Sequence, residues 1–361
     1  MHAIVARAAG GPEVLEHTEL PDPSPGPGQL LVRSAVAGVN FIDTYKRSGV
    51  YAMEYPHVVG SEGAGVVAEV GEGVEGFAVG DRVVWTEAPG SYADLVVVDA
   101  EQALHVPDAV SLEDATAVAL QGLTAHYLCT SSYRVRPGDR VLVHAGAGGV
   151  GLLLTQMLVA RGAHVISTVS TPEKAELSRG AGAEHAIQYT AFADLTAELP
   201  EVVRGLTGGE GVAAVYDSVG KDTFDASLAS LRRRGTLVLY GGSSGQVPPF
   251  DPQRLNAGGS LFLTRPKLAD HTATRAELVE RATEVLGAVA GGTLRVRVGA
   301  TFPLADAADA HRALEGRATT GKVLLLPAGA DGADGTTART TTGASTGTST
   351  GTSAGTSTGT A

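Results

Sequence analysis

Gly146, Gly148 and Gly151 stand in GxGxxG spacing, with Gly149 and Val150 between them. Between a strand and a helix, such glycines have separate tasks. Gly146 permits the tight turn, Gly148 lets backbone approach a pyrophosphate, and Gly151 lets the helix pack against the strand. Amide groups at the start of the helix, unclaimed by any carbonyl, then face the phosphates. In a chain with 48 glycines the spacing alone is weak, so its surroundings carry the argument. Arg140 to Ala145 reads as a buried parallel strand, residues 150 to 161 as a helix, and His164 to Val169 as the next apolar strand. These are the elements a dinucleotide-binding unit requires.

The end of the second strand selects the dinucleotide. A unit specific for NAD places an acid about 20 residues beyond the glycines, on the ribose 2′-hydroxyl. Here Ser167, Thr168, Val169 and Ser170 occupy that place. The first acid, Glu173, fits a capping box that starts at Ser170 and opens the next helix. No carboxylate repels a 2′-phosphate, and Ser170 and Lys174 can donate to one, each charge-assisted bond contributing roughly 1.5–3 kcal/mol. The predicted cofactor is NADPH.

The elements around this unit follow from pattern. Residues 1 to 110 carry short β patterns punctuated by Gly and Pro: Met1 to Arg7, Gln29 to Val39, Ala64 to Val70, Arg82 to Trp85 and Ala93 to Val98. They predict a barrel-like, mainly antiparallel domain. A capping-box-like start at Ser111 opens a helix to about Tyr133 that bridges the domains, and the turn Arg136 to Asp139 feeds the central strand. Helices 172–181, 192–206 and 221–231 then alternate with strands 186–189, 212–217 and 236–240. The result is a doubly wound α/β sheet with its ligand at the carboxyl ends of the strands. Ser218 to Gly220 and Gly241 to Gly245 lie at two such ends. Ser260 to Thr264 reads as a late edge strand that a second subunit could cover. Residues 275–290 form a further helix, and Leu294 to Phe302 and Lys322 to Leu326 are strands returning to the first domain.

Composition bounds the function. The 361 residues allow two domains and a tail, and 43% hydrophobic content supports sizeable cores. No apolar run reaches the ~18 residues of a membrane span, and the N-terminus lacks a signal-peptide pattern, so a cytoplasmic protein is expected. The lone Cys129 excludes an intrachain disulfide and a cysteine-based metal cluster; it reads as a small buried residue. A net charge of −12 argues against nucleic-acid binding. Residues 328–361 are almost wholly Thr, Ser, Gly and Ala, without Leu, Ile, Val or aromatics, and read as a disordered tail.

Several longer segments carry a family resemblance: GGPEVLE at Gly10, NFIDTYKRSGVY at Asn40, GSEGAGVV at Gly60, QGLTAHYL at Gln121, HAGAGGVG at His144, VYDSVG at Val215, YGGSSG at Tyr240, LFLTRP at Leu261 and RATTGK at Arg317. Over residues 1 to 327 the chain resembles the medium-chain dehydrogenase/reductases, most closely the zinc-free NADPH:quinone oxidoreductase (zeta-crystallin-like) family. The resemblance implies a GroES-like domain, 1–122, completed by 266–327, and a Rossmann domain, 123–265, with a cleft between them and commonly a homodimer. It places Asn40, Tyr45 and Tyr51 around the nicotinamide and substrate, and Gln121 and Thr124 near the nicotinamide. Lys174 and Tyr189 would hold the adenosine ribose and its 2′-phosphate. Ser218, Gly241 and Gly242 would follow the cofactor, and Phe262 and Arg317 would close on it. Where the family often has Asn, this chain has Gly242.

The nearest mechanistic rival is a zinc alcohol dehydrogenase. Catalytic zinc needs three protein ligands. Cys129 lies in the bridging helix, and the segment where those enzymes place a His-Glu pair reads Gly60, Ser61, Glu62, so no metal site is predicted and Glu62 is read as a structural carboxylate. Without a Lewis acid, a quinone or conjugated carbonyl is the better acceptor, because it delocalises the charge it receives. Tyr45 and Tyr51 would be hydroxyl donors to its oxygen, with Asn40 orienting a ring. Two alternatives remain open: reduction of an alkenal or enone double bond, and a structural or RNA-binding protein that uses NADPH only as a ligand.

Overall fold

The structure, a computed structural model, describes residues 1–328; the tail from residue 329 lies outside them. The glycine unit sits in a six-stranded parallel sheet. Its order is His185–Gln188, His164–Val169, Arg140–Val143, Val212–Asp217, Leu231–Leu239 and Phe262–Thr264. Taken by sequence this order is 3-2-1-4-5-6, and it reverses between Arg140–Val143 and Val212–Asp217. A crevice therefore opens at the carboxyl ends of those two strands. Val141, Leu142 and Val143 are all fully buried, as a strand covered by helices on both faces requires.

A second sheet has seven strands. Along its path lie Val298–Pro303, Lys322–Leu326, Gln29–Val39, Glu62–Val70, Arg82–Trp85 and Leu104–His105, with Leu95–Asp99 also paired to Gln29–Val39. Most pairings are antiparallel, and Gln29–Val39 is long enough to serve three neighbours. A small sheet of Leu15–Glu19, His2–Ala6 and His57–Val58 lies beside it. The architecture is GroES-like plus a Rossmann-type sheet.

The helix Leu112–Tyr127 joins the two sheets. Ser111 caps it, accepting from the Asp114 amide at 3.0 Å. Its residues are buried nearly all round, because one core runs through it from Val36, Ala64 and Val84 to Val141, Leu154 and Ala214. Each fully buried Leu or Val here contributes about 1.5–3 kcal/mol. The helix yields to a π turn, Leu128–Ser132, before the expected end at Tyr133. Asp139 then closes the turn by accepting from the Arg136 amide and the Tyr133 hydroxyl, both at 2.9 Å.

Some elements depart from expectation for local reasons. The helix expected over 192–206 starts at Leu195, because Asp194 accepts from the Thr196 and Ala197 amides. The helix expected over 221–231 is only Phe224–Ser230, since Leu231 already pairs as the first residue of the next strand. The late strand loses its first two residues; Ser260 has φ 60, a left-handed conformation unsuited to a strand. The last pair of strands opens at Val298 instead of Leu294. The helices Phe41–Ser48 and Ala307–Glu315 were not expected at all.

Candidate active site

At the crevice lies a cleft of 840 Å³, walled by residues of both large sheets. Its floor is the glycine turn. Ala145 takes φ 52, and the helix Gly149–Ala160 begins directly after Gly148, which has no side chain to occupy the first amides. A Cβ on Gly151 would stand 2.3 Å from the Ala145 carbonyl oxygen, so only glycine lets the helix approach its strand. Gly146 does not line the cleft; a Cβ there would meet Ser167 at 2.6 Å, which makes it the packing glycine of the turn. Gly148, Gly149, Val150 and Gly151 face the cleft. Beneath them His144 bridges Thr168 Oγ1 at 2.8 Å and Ser227 Oγ at 3.0 Å, and burial lowers its proton affinity.

Ser170, Lys174, Tyr189 and Arg317 gather at one end of the cleft. The predicted capping box is shifted by one residue. Thr171, not Ser170, caps the helix Pro172–Gly180, accepting from the Lys174 amide at 3.3 Å, so the Ser170 hydroxyl is not consumed as a cap. Lys174 Nζ donates to the Arg317 carbonyl at 2.8 Å. Burial and the Arg317 charge push the Lys174 proton affinity down. Two cations crowded in one corner are what an anion would relieve.

The strand end at Val212–Asp217 is organised by its last residue. Asp217 accepts from the Val219 and Gly220 amides at 2.8 and 3.0 Å, and from Ser227 Oγ at 2.7 Å. This turn presents Ser218 to the cleft beside Gly241. Gly242 lies just behind the wall, with its backbone against the Tyr45 hydroxyl. Burial raises the Tyr45 phenol above its ordinary range. Tyr51 packs edge-on against Tyr45, with ring centroids 5.7 Å apart, at the open side of the cleft.

The opposite wall holds a fully hydrogen-bonded polar cluster. Asn40 Oδ1 accepts from Gln121 Nε2 at 2.6 Å and from Lys322 Nζ at 2.9 Å. Asn40 Nδ2 donates to Glu62 Oε2 at 2.9 Å. Lys322 also donates to Gln121 Oε1 at 2.9 Å and forms an ion pair with Glu62, whose other oxygen accepts from the Leu120 amide at 2.7 Å. Burial pulls the Lys322 proton affinity down while Glu62 opposes that pull. Lys322 and Glu62 are 2% and 0% exposed. Such a pair costs several kcal/mol to desolvate and holds only while every member is satisfied. Thr124 lines the cleft next to Gln121.

Phe262 is the one expected site residue set well away from the cleft. It is 60% exposed, and it pairs with Thr236, well short of the carboxyl end of the neighbouring strand. Arg265, just past that strand, reaches the crevice instead. Lys46, Ser61 and Lys322 also line the cleft, and neither spacing nor motif assigns them to it. Lys322 ends the RATTGK segment and could have been matched to the unpartnered Glu62.

The residues fit a pyridine dinucleotide with a 2′-phosphate: a side-chain-free cradle at a helix start, a two-cation corner with the Ser170 hydroxyl, and a polar cluster that meets the cradle at Gln121. Among the described residues no group of three His, Cys, Asp or Glu side chains is placed to hold a metal ion. Glu62 and Ser61 are engaged by Lys322 and by Asp43 and Lys46.

Comparison with known proteins places the chain in a family. Residues 26–108 match the alcohol dehydrogenase GroES-like domain, and 149–280 match the zinc-binding dehydrogenase domain. A quinone oxidoreductase of Pseudomonas aeruginosa is 44% identical over 322 residues, 89% of this chain and 98% of that protein. A 2-haloacrylate reductase of Burkholderia is 44% identical over 333 residues, 90% of this chain and 98% of that protein. A mycobacterial structure solved with NADPH is 53% identical, with a TM-score of 0.88 over 91% of this chain and all of that one. The chain belongs to the quinone oxidoreductase family of the medium-chain dehydrogenase/reductases.

Proposed function

We propose that this protein is an NADPH-dependent reductase of quinones that works without zinc. The observation that supports the reading is the lining of one cleft: the glycine cradle with Ser170, Lys174 and Arg317, and, against the same turn, Asn40, Gln121 and Lys322 held in place by the buried Glu62. NADPH, when bound, supplies the reducing equivalent, as hydride or single electron. Gln121 and Thr124 border the nicotinamide end, and Asn40, clamped by three partners, orients a ring without rearranging. Tyr45 and Tyr51 offer hydroxyls and apolar faces to a planar acceptor, with Phe41 and Ile42 beside them. Lys322, compensated by Glu62, holds Asn40 and Gln121 in one arrangement on a dry wall, where their hydrogen bonds are stronger than in water. Its ion pair with Glu62 supports the zinc-independent part of the reading, since the carboxylate is committed to an ammonium.

The domain division at 122 and 265 and a cytoplasmic homodimer belong to this reading. The exposed Phe262 on the open edge of the parallel sheet supports the dimer. No helix among the described residues is long and apolar enough to cross a membrane. A second reading, reduction of a conjugated double bond, is favoured by the equally similar 2-haloacrylate reductase.

Product analysis with 1,4-benzoquinone, a naphthoquinone and a 2-alkenal separates them. The proposal expects hydroquinones. A saturated carbonyl formed from the alkenal alone would move the chemistry to the double bond, and silence with all three would leave a cofactor-binding protein.

A further inference from the structure

Reduction of a quinone or an enone to its neutral product consumes a proton besides the transferred reducing equivalent. On the cleft wall, Lys46 Nζ donates to Ser61 Oγ at 2.9 Å, and Ser61 Oγ donates to Asp43 Oδ1 at 3.1 Å. Ser61 and Lys46 both line the cleft, whereas Asp43 is fully buried behind them.

The polarity of the chain behind Asp43 is set from its far end. Arg47 can only donate, so its Nη1, 3.0 Å from His311 Nδ1, places the ring proton on Nε2. Nε2–H donates to the Tyr92 oxygen at 3.2 Å, which turns the Tyr92 O–H toward Asp43 Oδ2 at 3.1 Å. The Asn40 amide donates to the same Oδ2 at 2.9 Å. With two donors fixed on Oδ2, a proton on this carboxyl sits on Oδ1. The partner of Oδ1 is Ser61, a hydroxyl that can either donate or accept.

We propose that Ser61 is the catalytic proton donor of the cleft and that Asp43 is the positioning residue that reloads it. In the loaded state Asp43 Oδ1–H donates to Ser61 Oγ, the Lys46 ammonium donates to the same oxygen, and the Ser61 O–H turns into the cleft. As the acceptor gains its electron pair, the Ser61 proton moves to the developing oxyanion and the Asp43 proton moves to Ser61. Water in the cleft returns a proton to Asp43 by the same route. Each cycle thus takes up one proton from solvent and leaves no charge on the chain.

The groups acting on Asp43 are Lys46 on its own helix and Ser61, Tyr92 and Lys322 from the seven-stranded sheet and its loops; behind Tyr92 stand His311 and Arg47, and Glu62 is paired to Lys322. Burial outweighs the two lysines and raises the Asp43 carboxyl to about 6, within reach of working pH.

This inference rests on the reductase reading, and its test has two readouts. The first is an infrared pH titration of the full-length protein without cofactor. It should show a buried protonated-carboxyl band with a midpoint near pH 6, absent in Asp43→Asn and retained in Ser61→Ala. The second is the pH profile of kcat and its solvent deuterium effect. Ser61→Ala should lower kcat about a hundredfold, the lower range for loss of a general acid, while the KM for NADPH stays unchanged. Wild-type kcat should fall as pH rises through the Asp43 ionisation, and the Asp43→Asn profile should be flat. Absence of the band, or a Ser61→Ala kcat and solvent effect equal to wild type, overturns the relay even if Asp43→Asn fails to fold. A band in a protein that turns over no acceptor overturns the reductase reading instead.

Discussion

Lys322 and Glu62 hold the polar wall of the cleft together. Neither has water to fall back on, and together they hold Asn40 and Gln121 in place. Lys322→Met leaves a buried carboxylate without its cation and should destabilise the protein by about 3–5 kcal/mol. Replacing both, as Glu62→Gln with Lys322→Met, should cost less than the sum of the single changes, because the uncompensated charge is gone. Denaturant unfolding of the three variants gives the coupling directly; strict additivity would show that the pair is not a unit. Sequence reading recognised Glu62 as a carboxylate without metal partners but could not supply its partner. Lys322 lies 260 positions away, and only the return of strand Lys322–Leu326 beside Gln29–Val39 brings it there. Lys174 was legible for the opposite reason: it sits within one strand-turn-helix unit, where spacing fixes place.

Among the elements, the helix Phe41–Ser48 shows why a functional segment can escape pattern reading. Its buried residues are Asp43, Thr44 and Arg47, while Phe41 and Ile42 face the cleft, so an apolar stripe is missing from the side that packs. Its first turn is closed by Asp43, whose Oδ2 accepts from the Asn40 amide at 2.9 Å. It is tied to the helix Ala307–Glu315, also unexpected, through Arg47, which reaches His311 at 3.0 Å and Glu315 at 2.8 Å. Burial and the Arg47 charge lower the His311 proton affinity to about 3. The unfolded chain therefore binds more protons than the folded one between about pH 6.5 and 3, and stability contributed by neutral His311 is lost as pH falls through that window. Asp43 acts with the opposite sign: its raised carboxyl favours the folded state at low pH and that contribution fades as pH rises through about 6. His311→Gln should keep hydrogen-bonding capacity but remove the titration, so its Tm should fall less than wild type between pH 7 and pH 4. Parallel Tm curves would show that His311 does not control acid stability. The apolar run marks Phe262–Thr264 as an edge strand, which it is, but gives no sign that Phe262 stands away from the site. Parallel register gives it, since a ligand lies beyond the carboxyl ends and Phe262 lies two residues short of its own strand's end.

At the scale of the whole molecule, the two sheets are joined by the buried helix Leu112–Tyr127, which carries Gln121 and Thr124 on the side that meets the cleft. The parallel sheet contributes the cradle and the cation corner, and the seven-stranded sheet contributes the polar wall and, through Arg317, the closure of that corner. The strand alternation and the glycine turn made the Rossmann-type half readable from sequence, because each βα unit is local. The other half depends on pairings between distant segments, such as Val323 with Val39, and its site residues came from family resemblance. NADPH-dependent, metal-independent quinone reduction is open to a single steady-state experiment. Oxidation of NADPH and of NADH by 1,4-benzoquinone is measured with and without a chelator, for wild type and Lys174→Ala. Wild type should turn over rapidly with or without the chelator and with a clear NADPH preference, and Lys174→Ala should lose roughly 10- to 100-fold of that preference, equivalent to one charge-assisted bond. Turnover abolished by the chelator, or equal use of NADH and NADPH by wild type, would contradict this reading.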